Sequence, residues 1–347
     1  MSVVTLAHGS GGFEMHELLS QLIFSRVIHE LKRVKGGIGI DKLDDGALIP
    51  INNNEFMVVS IDSYTVNPPI FPGGSIGSLA AAGSLNDVIM MGGRPIAMLD
   101  SIVVEEGFPL DQLNMIIEDF LRILREEKVA LIGGDFKVMP KGHIDRIVIT
   151  TVALGITKNP IVDEVKPGDK VIVSDYIGDH GAVIMLLQMG LGDRVEEINA
   201  GLLKSDVKPL SRMLPVFDKF KGYIHASRDP TRGGLAGILN EWARSSGLVI
   251  VLDEAMVPIR DSVARYSEML GIDPLYLANE GVAVLSVDPN VAGEVVEYMR
   301  SLGFDNAKII GEVRASERYK GYVLARTAVG GFRIIEEPRG ELVPRIC

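Results

Sequence analysis

Short apolar runs and longer stretches with helical spacing alternate along the whole chain, and glycine clusters separate them. "EFMVVSID" (55–62) is an apolar run of strand length. "GSIGSLAAAGSLNDVIMMGG" (74–93) predicts a helix built from small residues and ended by its glycines. Its Ala, Gly and Ser content permits close packing. "PIAMLDSIVV" (95–104) predicts a strand. In "PLDQLNMIIEDFLRILREEK" (109–128), Leu113, Ile116, Ile117, Phe120, Leu121 and Leu124 share one face, the pattern of an amphipathic helix. "VALIGGD" (129–135) and "RIVITTVALGI" (146–156) complete the first half as strands.

The rhythm then resumes. "GDKVIVSD" (168–175) predicts a strand that enters a helix in "GDHGAVIMLLQMG". After it come "GYIHASRDPTRGGLAGILNEWARSSG", "LVIVLDE", "EGVAVLSVD", a helix over 290–302 and "AKIIGEV". Both halves open with a strand closing on an acid, Asp62 and Asp175, a hint of duplication. "TKNPIVDEVKPGD" supplies prolines and charge, so the domain boundary falls near 157–168. The expected architecture is α+β, with mixed sheets flanked by helices. Two domains, 1–156 and 157–332, precede a tail over 333–347. With Pro338 and Pro344 and no strong periodicity, that tail suits a semi-extended mobile arm.

Composition narrows the function classes. At 347 residues, 47% hydrophobic and 23% charged, the chain has enough apolar content for two ordinary cores. Forty-six acidic residues against 35 basic ones give a net charge of −11. That argues against broad nucleic-acid or anionic-membrane binding, which need a positive field. An anionic substrate stays open, because Mg²⁺ can reverse the local sign. The single cysteine, Cys347, cannot form an internal disulfide. "MSVVTLAHGSGG" lacks the pattern of a secretory leader, and no run of about 18 apolar residues occurs. A soluble cytoplasmic protein is expected.

Several acids follow strands or glycines: Asp44, Asp45, Asp62, Asp87 and Asp135. Each taken alone is as well explained as a cap or turn. Five within one domain favour a shared hard cation, and oxygen ligands suit Mg²⁺, which takes substrate phosphates as further ligands. "HGSGG" (8–12) offers consecutive flexible N–H groups, either a phosphate cradle or a plain loop. "RDPTRGG" sets Asp229, Thr231 and Arg232 just before a helix start, an anion-binding arrangement that a capped turn would also explain. Lys137 follows Asp135 by two residues and could neutralise transferring charge. Glu280 in "ANEG" is a turn acid or a base. Six scattered histidines show no zinc spacing.

Taken in order, "HGSGG", "DDGA", "DSY", "PPIFPGG", "LAAAGSLNDVIMMGGRP", "GGDFKV", "GDHG", "RDPTRGG", "ANEG" and the terminal "PRIC" resemble the HypE family of hydrogenase maturation factors. That family belongs to the ATP-using superfamily of aminoimidazole ribonucleotide synthetase (PurM) and selenophosphate synthetase. Phe136 stands where many members have Thr, and Gly46 where Ala is common; neither removes an ionisable group. The resemblance implies a PurM-like fold, a homodimer through the first domain's sheet, and ATP-dependent dehydration of an S-carbamoyl group on Cys347 to a thiocyanate. It implies that Asp45, Asp62, Asp87 and Asp135 hold Mg²⁺ and phosphates. His8, Gly9, Ser10, Gly11 and Gly12 would close over the nucleotide, with Asp229 and Thr231 supporting the site. Lys137 would serve phosphoryl charge and Glu280 would deprotonate the carbamoyl nitrogen. The implied partners are the carbamoyltransferase HypF and, as cyanide acceptor, the HypC–HypD complex. Two other readings stand beside it. A free-substrate synthetase of the same superfamily would leave Cys347 idle, and a non-enzymatic scaffold would not need the acids.

Overall fold

The computed structural model describes residues 3–340; Cys347 lies outside the described residues. The first half runs through α1 (Phe13–Leu19), β1 (Ala47–Asn52), β2 (Glu55–Tyr64), a small hairpin of β3 (Ile70–Phe71) and β4 (Gly74–Ser75), and α2 (Ile76–Met90). It continues with β5 (Arg94–Glu105), α3 (Leu110–Glu127), β6 (Ala130–Met139) and β7 (Ile147–Thr157). Its mixed sheet has the order β1-β2-β7-β5-β6, antiparallel except between β5 and β6.

Burial along β7 alternates residue by residue, as expected of a sheet covered on one face only. The covering layer is α2 and α3. All fifteen residues of α2 are buried, and its small residues explain how. A Cβ on Gly77 would stand 1.9 Å from the Ile116 carbonyl oxygen of α3. A larger residue there would push the two helices apart. The amphipathic face of α3 buries Ile116, Phe120, Ile123 and Leu124, while Leu113, Ile117 and Leu121 are partly buried against the same core.

The second half holds β8 (Lys170–Val173), α4 (Asp179–Gln188), α5 (Glu196–Asn199), α6 (Leu214–Lys219), β9 (Ile224–Arg228), α7 (Gly234–Ser246) and β10 (Val249–Asp253). Then follow α8 (Asp261–Leu270), β11 (Val284–Val287), α9 (Ala292–Ser301), β12 (Lys308–Arg314), β13 (Val323–Arg326) and β14 (Phe332–Ile335). They form a seven-stranded sheet, β14-β13-β10-β12-β8-β11-β9. One of its cores packs Phe217, Leu285 and Met299 together with Ile89 and Met90 from the end of α2. The two halves therefore share buried apolar surface, and α2 ends against the second domain.

The expected tail start at 333 is corrected. Val323 to Arg326 pair with Phe332 to Ile335, which makes the start of that stretch an edge strand of the second sheet. Residues 336–340 are docked as well. The Phe13 N–H donates to the Pro338 carbonyl (3.1 Å), the Gly340 N–H to Glu14 (3.1 Å), and Arg244 pairs with Glu337 at 2.6 Å. No helix of the described residues is long and apolar enough to cross a membrane.

Candidate functional site

A cleft of about 620 Å³ opens between the domains, with Gly11, Gly12, Asp45, Asp62, Asp87 and Asp229 among its lining residues. Three elements converge on its floor. Asp87 projects from α2, Asp229 follows the end of β9, and Asp45 sits in the loop before β1. Each offers a carboxylate oxygen, and these lie within 4.8 Å of one another. Asp87 accepts a hydrogen bond from the Ser60 hydroxyl on β2. Asp45 accepts from Arg228 at 2.9 Å through one oxygen. The other oxygen of Asp45 and one oxygen of Asp229 are buried with no hydrogen-bond partner.

Buried, unpartnered carboxylate oxygens are costly, and here two of them belong to members of one converging set. Burial pushes Asp45, Asp87 and Asp229 well above the usual carboxylate range, and the acids push one another further. Arg228 opposes the rise at each, and Ser60 opposes it at Asp87. Such a set, oxygen-only and short of positive charge, fits a hard divalent cation.

Asp62 stands on the cleft wall, 3.8 Å from Arg232. Its pKa is raised by burial and restrained by that arginine. Thr231 and Arg232 line the cleft ahead of α7. The glycine loop packs on this same segment. A Cβ on Gly11, at φ +82°, would come 2.5 Å from the Arg232 Cβ, and one on Gly12 would come 2.4 Å from the Pro338 oxygen. Only glycine permits that approach. Gly11 and Gly12 reach the cleft, while His8, Gly9 and Ser10 form the turn before them. The His8 ring accepts from the Thr5 N–H at 3.0 Å. Glu280 lies behind the floor, 3% exposed. Burial raises its pKa well above normal, with Asp229, Asp206, Asp62 and Asp87 adding to the rise.

Asp135 and Lys137 are not with these groups. Asp135 pairs with Ser101, which pairs with Thr150, which pairs with Ser63. That puts Asp135 about 14 Å across the sheet from β2, three strand spacings away. It is also on the other face: Asp62 pairs with Thr151, whose hydroxyl bonds to Ala80 of α2, whereas Asp135 belongs to the neighbouring row. Within one chain, the expected grouping of Asp135 with Asp45, Asp62 and Asp87 is therefore corrected by strand alternation. Asp135 forms an exposed ion pair with Lys137.

Sequence reasoning missed Arg228. Only 12% of its side chain is exposed, yet it contacts three separate segments. Its guanidinium pairs with Asp163 at 2.7 Å, Asp45 at 2.9 Å, Asp44 at 3.6 Å and Glu241 at 3.8 Å, and donates to the Leu43 carbonyl at 2.6 Å. Asp163 also accepts from the indole of Trp242 at 2.6 Å. The visible signal was an arginine closing β9 directly before Asp229.

Comparison with known proteins fits this geometry. Residues 43–157 match the AIR synthase related protein N-terminal domain, and 166–324 its C-terminal domain. Carbamoyl dehydratase HypE of Azotobacter vinelandii is 37% identical, covering 99% of this chain and 97% of that protein. A solved HypE–HypF complex contains a chain 34% identical, with a TM-score of 0.81 over 92% of this chain and 99% of that one. HypE solved with ATP is 35% identical, with a TM-score of 0.78 over 99% and 100%. The chain thus belongs to the HypE family, the carbamoyl dehydratases of hydrogenase maturation, built on paired AIR synthase-related domains.

Proposed function

We propose that the protein uses Mg-ATP to dehydrate an S-carbamoyl group on its own Cys347 to a thiocyanate, supplying cyanide for the iron centre of NiFe hydrogenase. The observation that carries this is the convergence of Asp45, Asp87 and Asp229, with two buried oxygens unpartnered, in a cleft large enough for a nucleotide. Those three acids would hold Mg²⁺, which supplies charge neutralisation at the phosphates. Asp62, Thr231 and the Gly11–Gly12 loop line the space left for the nucleotide. The ATP complex of the HypE relative supports that choice of ligand.

The chemistry balances without another reagent. The carbamoyl oxygen attacks the γ-phosphorus and ADP leaves. The oxygen then departs with the phosphate, and both nitrogen-bound protons are lost as the C≡N bond closes. The products are thiocyanate, ADP and phosphate. Glu280, held above the normal carboxylate range, is suited to accept one of those protons.

The docked segment 336–340 brings the chain to the cleft rim, where Glu337 is a lining residue. Cys347 is the seventh residue beyond Gly340, a span of up to about 23 Å. That length serves both an outside carbamoyl donor and the floor of the cleft. The solved complex of a relative supports HypF as donor, and the HypC–HypD complex would receive the cyanide. A cytoplasmic setting suits a free thiol.

Two copies would associate through the first sheet. Its face away from α2 carries half-buried Val148, Val152, Leu154 and Ile156 and exposed Ile61. Asp135 and Lys137 sit on that same face at the edge strand, so in the dimer they would serve the partner's cleft. The full chain carbamoylated at Cys347 and mixed with Mg-ATP should lose the mass of one water from its C-terminal peptide. A carbamoyl adduct that persists refutes the reading. Cys347→Ala should abolish loading and leave nucleotide binding intact.

A further inference from the structure

Glu280 belongs to no strand or helix. It lies in the turn between the short 3₁₀ segment Pro274–Tyr276 and β11. Something else must fix it, and the contacts identify one carboxylate. Asp206 accepts from the Glu280 N–H at 3.2 Å, the Gly281 N–H at 3.1 Å and the Asn279 side-chain amide at 3.1 Å. Three donors from three consecutive residues thus end on a single half-buried acid. Gly281 is required for this approach, since a Cβ there would stand 2.1 Å from the Asp206 carbonyl oxygen. Asn279 also accepts from the Gly178 N–H at 3.0 Å, so the turn is held on its far side too.

The loop carrying Asp206 is itself anchored to both domains. The Ser205 N–H donates to the Pro72 carbonyl (2.8 Å) in the β3–β4 hairpin. The Ser205 hydroxyl bonds the His180 ring at 2.8 Å, and that ring packs edge-on against Phe71 at 5.4 Å. Burial holds His180 at about 3, so it stays neutral and the contact keeps its form at neutral pH. The "PPIFPGG" and "GDHG" segments, which do not reach the cleft, thereby support the loop behind Glu280. Lys208 continues the tether, its N–H donating to the Glu280 carbonyl at 3.3 Å.

We infer that Asp206 is a positioning residue for dehydration: it fixes the Asn279–Gly281 turn so that the Glu280 carboxylate is aimed at the reacting carbamoyl group. This rests on the reading of Glu280 as the base. A displacement of about 1 Å in such a group can cost about 100-fold in rate. Asp206→Asn keeps the shape but turns a donor toward the Asn279 amide or the Gly281 N–H.

The test is single-turnover dehydration of the full carbamoylated chain, following water loss at the C-terminal peptide over a range of Mg-ATP concentrations. Asp206→Asn should lower the maximal rate about 10- to 100-fold and leave the half-saturating ATP concentration and carbamoyl loading within about twofold. Asn279→Ser, which leaves the acid in place but removes one of its donors together with the Gly178 contact, should show the same rate-selective loss. Wild-type rates in both variants overturn the inference. So does a parallel loss of ATP affinity and loading, which marks general damage. Glu280→Gln, run alongside, separates the two claims. Wild-type turnover in that variant refutes the base assignment and this inference with it, whereas a slowed Glu280→Gln beside full-rate Asp206 variants refutes this inference alone.

Discussion

Replacing Asp87 with Asn tests the acid triad most directly, because it changes charge and leaves shape. The amide can still accept from Ser60, but one cation ligand is gone. The oxygens concerned lie within 4.8 Å. At that distance two ionised carboxylates repel by about 3 kcal/mol at an effective dielectric constant of about 20. Asp87 takes part in two of the three pairs, and partial protonation of these raised-pKa groups trims the sum. The metal-free variant should therefore be more stable than the metal-free parent by about 2–4 kcal/mol, several degrees in Tm. Loaded with Mg²⁺ and a non-hydrolysable ATP analogue at about 100 times Kd, the parent should gain about 2.7 kcal/mol. The variant should gain much less, so the order of melting reverses on loading. Thermal unfolding at pH 8, followed through the only tryptophan, Trp242, and by circular dichroism, with EDTA or with Mg²⁺, reads both limbs. A variant that melts with or below the metal-free parent and keeps the full metal-dependent gain would refute the argument.

Three further outcomes are expected. Burial holds Asp179 at about 7 against its Arg260 partner, whereas the unfolded carboxyl ionises near pH 4, so the folded form keeps a proton the unfolded form has lost. Native stability should fall as pH rises between those values, and Asp179→Asn should raise the free energy of urea unfolding at pH 8 by about 1–2 kcal/mol, after allowance for the part-exposed arginine, with little change at pH 4.5; the reverse order would be fatal to this account. Arg228→Met strands Asp45 and Asp163 without their shared cation and should cost about 3 kcal/mol or more in denaturant unfolding; a loss below about 1 kcal/mol would show that Arg228 is not a hub. If Lys137 serves the partner's cleft, mixing inactive Lys137→Ala and Asp87→Asn chains should restore roughly a quarter of the parental sites in a randomly reassorted dimer, and no recovery in the dehydration assay would place Lys137 outside a shared site.

Much of the element order is legible without coordinates, because it follows from local periodicity. The amphipathic spacing of 109–128 and the apolar runs at 55–62 and 146–156 each specify a helix or strand within a few residues of α3, β2 and β7. The small-residue composition of α2 signalled close packing, and Gly77 against the Ile116 carbonyl is where it occurs. Phe332–Ile335 was harder, since a four-residue edge strand carries too little pattern to stand out from a tail.

The acids divide the same way. That Asp45, Asp62, Asp87, Asp135 and Asp229 follow strands or glycines is a property of the sequence, and so is the presence of one thiol at the chain end. Which of them converge is not, since it depends on strand order and on the face each residue takes. The crossover order β1-β2-β7-β5-β6 sets Asp135 three strands from Asp62, and alternation turns it to the opposite face. The same tertiary arrangement brings Asp229 from the second domain to Asp45 and Asp87, and Asp206 under the Glu280 turn, across separations no local pattern encodes. Periodicity therefore determined the elements and the stock of reactive groups, while long-range strand pairing and shared burial decided which of those groups act together.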